Sequence, residues 1–381
     1  MKLLHTSDWH LGVTEKGLDA KADQEYFIDA ICDIVKEQGV DAVMIAGDVY
    51  DHSNASAQAV KLYSDAMTKL CKEMKKPVLI IAGNHDSAER LSVCHELLEL
   101  AGLYVCGEVT EQPRVVSFDD TDVYLLPWLT EEVARSLYPE KKEEITDLTA
   151  AYRVVTDAMR ADFKPGKKHI LLSHSFAENS EVSDSDHAAV VGFAAQISVS
   201  VFDGFDYVAL GHIHKPQDVG ERARYSGTPM PYSFGAEEKQ EKSVTIIDTK
   251  DMSRTSVPVP QLHKRTSLTG TLDELLHDAY DEDVINGYVK LTVTDQYAGL
   301  STLALLSERF LHILELSGKS YEAEGTSVTL TPEEFREMEN DPVEVFKSFW
   351  GEEIQGELDE RILDLFREAV QQTINMMEDD E

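Results

Sequence analysis

Five short apolar runs, each ending in polar residues, set the pattern of the chain. Leu3 and Leu4 lead to Asp8-Trp9-His10, residues 40–46 lead to Gly47-Asp48, and Val78 to Ile81 lead through Gly83 to Asn84-His85-Asp86. Further on, His169 to Leu172 precede Ser173-His174, and Tyr207 to Leu210 precede Gly211-His212-Ile213-His214. A run such as Val78 to Ile81, with no polar member, predicts a strand covered on both faces. Gly83 then allows a sharp turn and a close approach of backbone to whatever sits there.

Helical periods lie between the runs. Residues 22–38 place Phe27, Ile31, Ile34 and Val35 on one face; residues 55–75 form a second helix closed by Lys75, Lys76 and Pro77; residues 89–100 form a third. A short strand follows at Tyr104. After residue 110 the rhythm changes: 114–118 and 122–126 read as a hairpin, 130–163 as helical and 177–190 as a polar loop. Strands around 225 and at 243–248 complete this part. The alternation predicts an α/β layered sandwich with two central sheets, the second mixed or antiparallel, facing each other between helices.

Val257-Pro258-Val259-Pro260 mark a boundary, so domains are expected at 1–262, 263–339 and 340–381. The middle one reads as small and α+β, with strands at 288–294 and 328–330 and a helix at 302–316. The last reads as a helical tail. It carries Val345, Phe346, Phe349 and Trp350 on a short helix, then an apolar stripe through Ile362, Leu363, Phe366, Ala369, Val370 and Ile374.

Composition narrows the class. The 381 residues are 42% hydrophobic with only strand-sized apolar stretches, and the N-terminus enters a strand at once, so neither a membrane span nor a signal peptide is expected. Cys32, Cys71, Cys94 and Cys106 are scattered without a C-x-x-C pair, which reads as free thiols in a cytoplasmic protein. A net charge of −36 argues against coating nucleic acid by bulk electrostatics. It leaves room for a metal site that binds phosphate, because bound divalent ions invert the charge of a carboxylate-lined pocket.

Carboxylate, imidazole and amide oxygen together suit Mn²⁺, Fe²⁺ or Zn²⁺, and seven such candidates are too many for one ion. In order, the five strand ends spell D-x-H, G-D, G-N-H-D, H and G-H-x-H. Together they resemble the calcineurin-like metallophosphoesterase signature over about residues 1–250. The run from Ala209 to Gln217, then Tyr225 to Pro231, narrows the resemblance to bacterial DNA nuclease subunits that work with an SMC-like ATPase.

The resemblance implies two divalent ions, Mn²⁺ foremost, with Mg²⁺, Fe²⁺ or Zn²⁺ left open. It assigns Asp8, His10 and His214 to one ion, Asn84, His174 and His212 to the other, and Asp48 as the bridge. His85 would face the phosphate, and Asp86 would orient His85 or a ligand. Relatives from archaea and eukaryotes carry a further histidine three residues after the bridging Asp. Here that position is Asp51, and His52 follows it, so both are possible substrate contacts. The implied activity is exonucleolytic and endonucleolytic cleavage of DNA ends and hairpins. The implied partners are DNA, the ATPase gripped through the tail, and a second copy of the chain. A small-molecule phosphoesterase and a non-catalytic scaffold are the alternatives. His5 and His169 lie on strands outside the motifs and read as packed or hydrogen-bonded.

Overall fold

The computed structural model describes residues 1–318, apart from 17, 184, 186–194 and 297, together with 361–363 and 366–367. The apolar runs become the central parallel strands of two six-stranded sheets. The first sheet has the order Ser253–Pro258, Ser243–Asp248, Lys2–Thr6, Ala42–Ala46, Val78–Ile81, Leu103–Cys106. The second has the order Gln217–Val219, Ala223–Tyr225, Tyr207–Gly211, Lys168–His174, Thr121–Leu126, Arg114–Ser117. Both are mixed: the four strands from Lys2–Thr6 to Leu103–Cys106 are parallel, as are the four central strands of the second, and the remaining pairings are antiparallel.

The period of two in each strand explains why the runs are apolar throughout. In the first sheet Leu4, Val43, Ile45, Val78 and Ile80 face Phe27, Ile31, Leu62 and Leu70 of the helical layer. Alternate residues Leu3, Met44, Ala46, Leu79 and Ile81 meet Val123, Leu125, Ile170, Leu172 and Ala209 of the second sheet. The outer face of the second sheet packs on Val155 and Met159 of the Leu148–Ala161 helix. The result is helix, sheet, sheet, helix. Register brings the parallel ends level, with Ala46 beside Ile81 and His174 beside Gly211. Sites in such sheets form where the carboxyl ends of parallel strands converge.

Several expected elements differ. The 130–163 helix is two, Glu131–Leu137 and Leu148–Ala161, because Pro139 falls between and Asp147 caps the second by accepting from Ala150 N at 2.8 Å. The 89–100 helix is split into Ala88–Leu91 and His95–Glu99 by Cys94, whose φ is 57°. The expected 302–316 helix is Leu300–Ser307 followed by a strand, His312–Ser317. After Ser307-Glu308-Arg309 its apolar residues resume at Phe310, and their spacing there suits a helical period and a buried strand alike. The chain leaves the helix after Ser307, and Leu311 N donates to Ile285 O at 2.9 Å.

That strand joins Arg265–Gly270 and Tyr288–Val293 in a three-stranded parallel sheet over Leu275, Leu306 and Phe310. The Arg265–Gly270 strand was not expected. Arg265 is buried and ties this sheet to the larger body, pairing with Glu15 and donating to Pro231 O at 3.0 Å. The expected strand at 328–330 and all of the 340–381 tail except 361–363 and 366–367 lie outside the described residues. No described helix is long and apolar enough to cross a membrane. The four cysteines are unpaired, and burial pushes the thiols of Cys32, Cys71 and Cys106 up to about 11, which keeps them neutral.

Candidate metal centre

Each strand end places its polar residues by backbone means. Past the Lys2–Thr6 and Ala42–Ala46 strands, two loops run side by side. Asp8 N donates to Gly47 O at 3.0 Å, His10 N to Asp48 O at 3.0 Å and Leu11 N to Val49 O at 2.9 Å. Asp8, His10 and Asp48 have φ of 53°, 42° and 47°, and His212 has 102°. Left-handed backbone at non-glycine residues is costly, and it tends to cluster at functional sites. Asp86 closes this assembly: it accepts from Gly83 N at 2.9 Å, Val49 N at 3.1 Å and Tyr50 N at 2.9 Å. Burial and the nearby Asp48 charge push Asp86 up to about 6, against those three donors.

The second sheet brings its ligand candidates to the same place. A Cβ on Gly211 would sit 1.8 Å from Ala46 O, so only glycine lets the two sheets close here. His174 Nδ1 donates across the gap to Ala46 O at 2.7 Å, which turns Nε2 inward. Nε2 lies 3.0 Å from Asn84 Oδ1 and 3.3 Å from Asp48 Oδ2. His212 Nδ1 is also 3.0 Å from Asn84 Oδ1, and His212 N donates to the Asp8 carboxylate at 3.0 Å.

Three groups of donors result, two of which share His10. The ligand atoms of Asp8, His10 and His214 lie within 4.8 Å of one another, as do those of Asp48, His174 and His212 and those of His10, Asp51 and His85. His10 Nε2 and His214 Nε2 are 3.3 Å apart. His10, Asp48, His212 and His214 line a cavity of about 290 Å³ with Val13, Asp51, His85, Ser185 and Tyr232. A larger cleft of about 680 Å³, between residues 88–95 and 105–114, holds none of these side chains.

The electrostatics ask for a cation. Asp8 and Asp48 are buried, and no lysine or arginine is among the lining residues. Burial opposes charge on both Asp48 and His174, but their mutual attraction outweighs it. The carboxyl is held below its usual range, and the imidazole is raised to about 9. Burial and the His174 charge push His212 down to about 3. Its Nε2 is buried with no hydrogen-bond partner among the described residues, as is His10 Nδ1. A converging set of carboxylate, imidazole and amide oxygens with spare lone pairs fits a transition-metal ion better than a proton.

The remaining sequence candidates separate. His85 N donates to Asp48 Oδ1 at 2.9 Å, and His85 Nδ1 donates to Asp51 O at 2.8 Å, so the ring is held with Nε2 as its second nitrogen. Asp86 grips the backbone that carries Asp48 rather than the His85 ring. Asp51 lines the cavity. The His52 side chain is 79% exposed, pairs with Asp51 at 3.1 Å and is not among the lining residues. His5 is hydrogen-bonded to Tyr207 Oη and Leu210 O, and burial lowers it to about 3. His169 stacks on Phe163 at 3.8 Å.

Three residues near the centre carried no signal that we read. Tyr232 packs on His10 and His214 at 5.4 and 5.9 Å, with its hydroxyl donating to Trp9 O at 2.6 Å. Trp128 lies 5.3 Å from His212 and 5.9 Å from His174, and it follows the Thr121–Leu126 strand in the manner of the five motifs. Glu237 is buried beside His214, at 3.7 Å.

The calcineurin-like phosphoesterase pattern matches residues 1–216, and the chain belongs to that family. It is therefore a hydrolase of phosphoester bonds that binds divalent metal. The chain is also 27% identical over 321 residues to the D subunit of nuclease SbcCD from Staphylococcus epidermidis, covering 83% of this chain and 85% of that relative. Among solved structures, TT1561 of Thermus thermophilus aligns over 68% of this chain and 99% of its own, at 12% identity and a TM-score of 0.39. GAP50, the anchor in the inner membrane complex of Plasmodium, aligns over 86% and 99%, at 14% identity and 0.40.

Proposed function

We propose that this protein is a two-metal DNA nuclease that works as the D subunit of an SbcCD-type complex. The observation that supports it most is the gathering, from five strand ends, of Asp8, His10 and His214 in one group and Asp48, His174 and His212 in another, with Asn84 against the second and His85 on the wall of the adjoining cavity. In this reading Asp8, His10 and His214 hold one ion, Asn84, His174 and His212 the other, and Asp48 is shared. When bound, such a pair clamps the phosphodiester and sharpens a water for in-line attack. The chain's own residues do the rest. Asp86 fixes the loop that presents Asp48. Asp51 O holds the His85 ring, so that His85 can give a proton to the leaving oxygen or a hydrogen bond to the developing charge. Trp128 and Tyr232 wall the imidazoles on two sides and limit water.

Partners follow from the same reading. A chain of net charge −36 needs help with a polyanion, and an SMC-like ATPase, SbcC, would supply both the ATP dependence and a basic DNA surface. The two apolar stretches of the tail, Phe346 to Trp350 and 362–374, are the segments proposed to grip it. Val93, Leu97 and Leu100 are 61, 67 and 87% exposed, an apolar surface that suits a second copy of the chain.

The test compares substrates. Purified protein with Mn²⁺ is given a blunt duplex, a hairpin oligonucleotide and a chromogenic phosphomonoester and diester, alone and with the ATPase subunit. DNA should be cut, faster with ATPase and ATP. Turnover of the phosphomonoester with no cutting of either DNA would contradict the nuclease reading and favour a small-molecule phosphoesterase.

A further inference from the structure

The two halves of the centre are supported differently from behind. Asp51 Oδ1 lies 3.5 Å from His10 Nδ1, the buried nitrogen that has no hydrogen-bond partner among the described residues. That distance is just beyond ordinary hydrogen-bond reach. His214 Nδ1 is 2.6 Å from Ser185 Oγ, whose hydroxyl donates to Glu237 Oε1. Glu237 is itself fixed: it accepts from Tyr232 N at 2.7 Å, Ser233 N at 3.3 Å and Ser183 Oγ at 3.0 Å. Lys242 Nζ, 3.5 Å away, offsets part of its charge. Both imidazoles of the Asp8–His10–His214 group thus have a carboxylate behind them. In the other group no carboxylate of the described residues stands behind the far nitrogens of the imidazoles. His174 Nδ1 rests on the Ala46 carbonyl, and His212 lies among Trp128 and Phe176 rings at 5.3 and 5.9 Å.

We propose that Asp51 and Glu237 are positioning residues that make the Asp8–His10–His214 half the tighter of two unequal ion sites. The inference rests on the two-ion reading and adds a ranking to it. An imidazole bound to metal through Nε2 carries its proton on Nδ1. A carboxylate at that proton fixes the tautomer and ring orientation and makes the opposite lone pair a better donor. A backbone carbonyl fixes orientation with less charge, and aromatic rings do neither. Removing such a carboxylate costs about 10–100-fold in metal affinity. Neither carboxylate acts on its imidazole alone: His52 also draws on Asp51, at 3.1 Å, and Lys242 and two backbone N–H groups draw on Glu237, so the two should contribute comparably. The position where relatives from archaea and eukaryotes carry a histidine thus holds a residue that acts through His10 and, by its carbonyl, through His85.

The experiment is Mn²⁺ titration of the chelator-stripped full-length chain by calorimetry, with electron paramagnetic resonance on the same samples. Wild type should show two events of unequal affinity, and isolated Mn²⁺ should give way to a coupled pair as the second ion enters. Asp51→Asn should weaken the tighter event by roughly 10–100-fold and leave the weaker one in place. Glu237→Gln should also weaken the tighter event, and Asp51→Glu should recover part of the loss. Thermal melts of the metal-free proteins guard against a folding defect; the Asp51 side chain is 18% exposed, so the metal-free Asp51→Asn melt should match wild type. An unchanged tight event in Asp51→Asn, or an equal shift of both events, would overturn the ranking while sparing the two-ion reading. Wild-type protein that takes up no Mn²⁺ would overturn both.

Discussion

The two six-stranded sheets contribute to the centre by different means. The first delivers Asp8, His10, Asp48, Asn84 and His85 on loops beyond its strands, three of them in left-handed backbone, with the Asp48 loop clamped by the Asp86 carboxylate. The second delivers His174 as the last residue of its own strand, and His212 and His214 directly after Gly211. One side is shaped by loops, the other by strand ends with a single strained residue, His212, and neither side alone holds a complete donor set. The chemistry therefore belongs to the joint between sheets, which closes only because Gly211 lacks a side chain over Ala46 O.

That contrast can be broken at the joint or sharpened on either side of it. The largest effect is expected from Gly211→Ala, whose methyl group would lie 1.8 Å from a backbone oxygen. It should reduce both thermal stability and Mn²⁺ binding, and a variant that melts and binds like wild type would show that the joint tolerates separation. Asp48→Asn keeps the fold while weakening the shared ligand, so bound metal and rate should fall together. His85→Asn should keep both ions and lose cleavage by roughly 10²–10⁴-fold, the usual scale for a general acid. Metal loss in that variant, read by elemental analysis, would make His85 a ligand. The smallest catalytic effect should come from Ile247→Ala, buried between the sheets on a strand that carries no ligand candidate. It should cost about 2–5 kcal/mol of stability in denaturant melts while the folded fraction keeps its rate.

The strands and the ligand candidates were legible because an apolar run and its polar terminus are local features. A buried parallel strand must be apolar on both faces, so Val78 to Ile81 and Tyr207 to Leu210 stood out, and Asn84 and His212 followed by position. What was not legible depends on contacts far apart in sequence. Glu237 sits in Gly235-Ala236-Glu237-Glu238-Lys239, which reads as a charged surface loop, yet it is buried 23 residues beyond His214. Trp128 was hidden just past what read as a hairpin. Asp86 was expected to orient His85 or a ligand, and the choice between them rested on a distant contact: its side chain turns back to the N–H groups of Val49 and Tyr50, beside Asp48. Helix 302–316 failed for a different reason: a run of leucines carries no clear period, and pairing with Tyr288–Val293 decided its second half.

The most direct measurement titrates Mn²⁺ into chelator-stripped protein while bound metal and hydrolysis of a chromogenic phosphodiester are followed together. A centre shared between two sheets predicts little activity in chelator and a rise that tracks the second ion rather than the first. Full activity in chelator, or a rate that reaches its plateau with one ion bound, would contradict it.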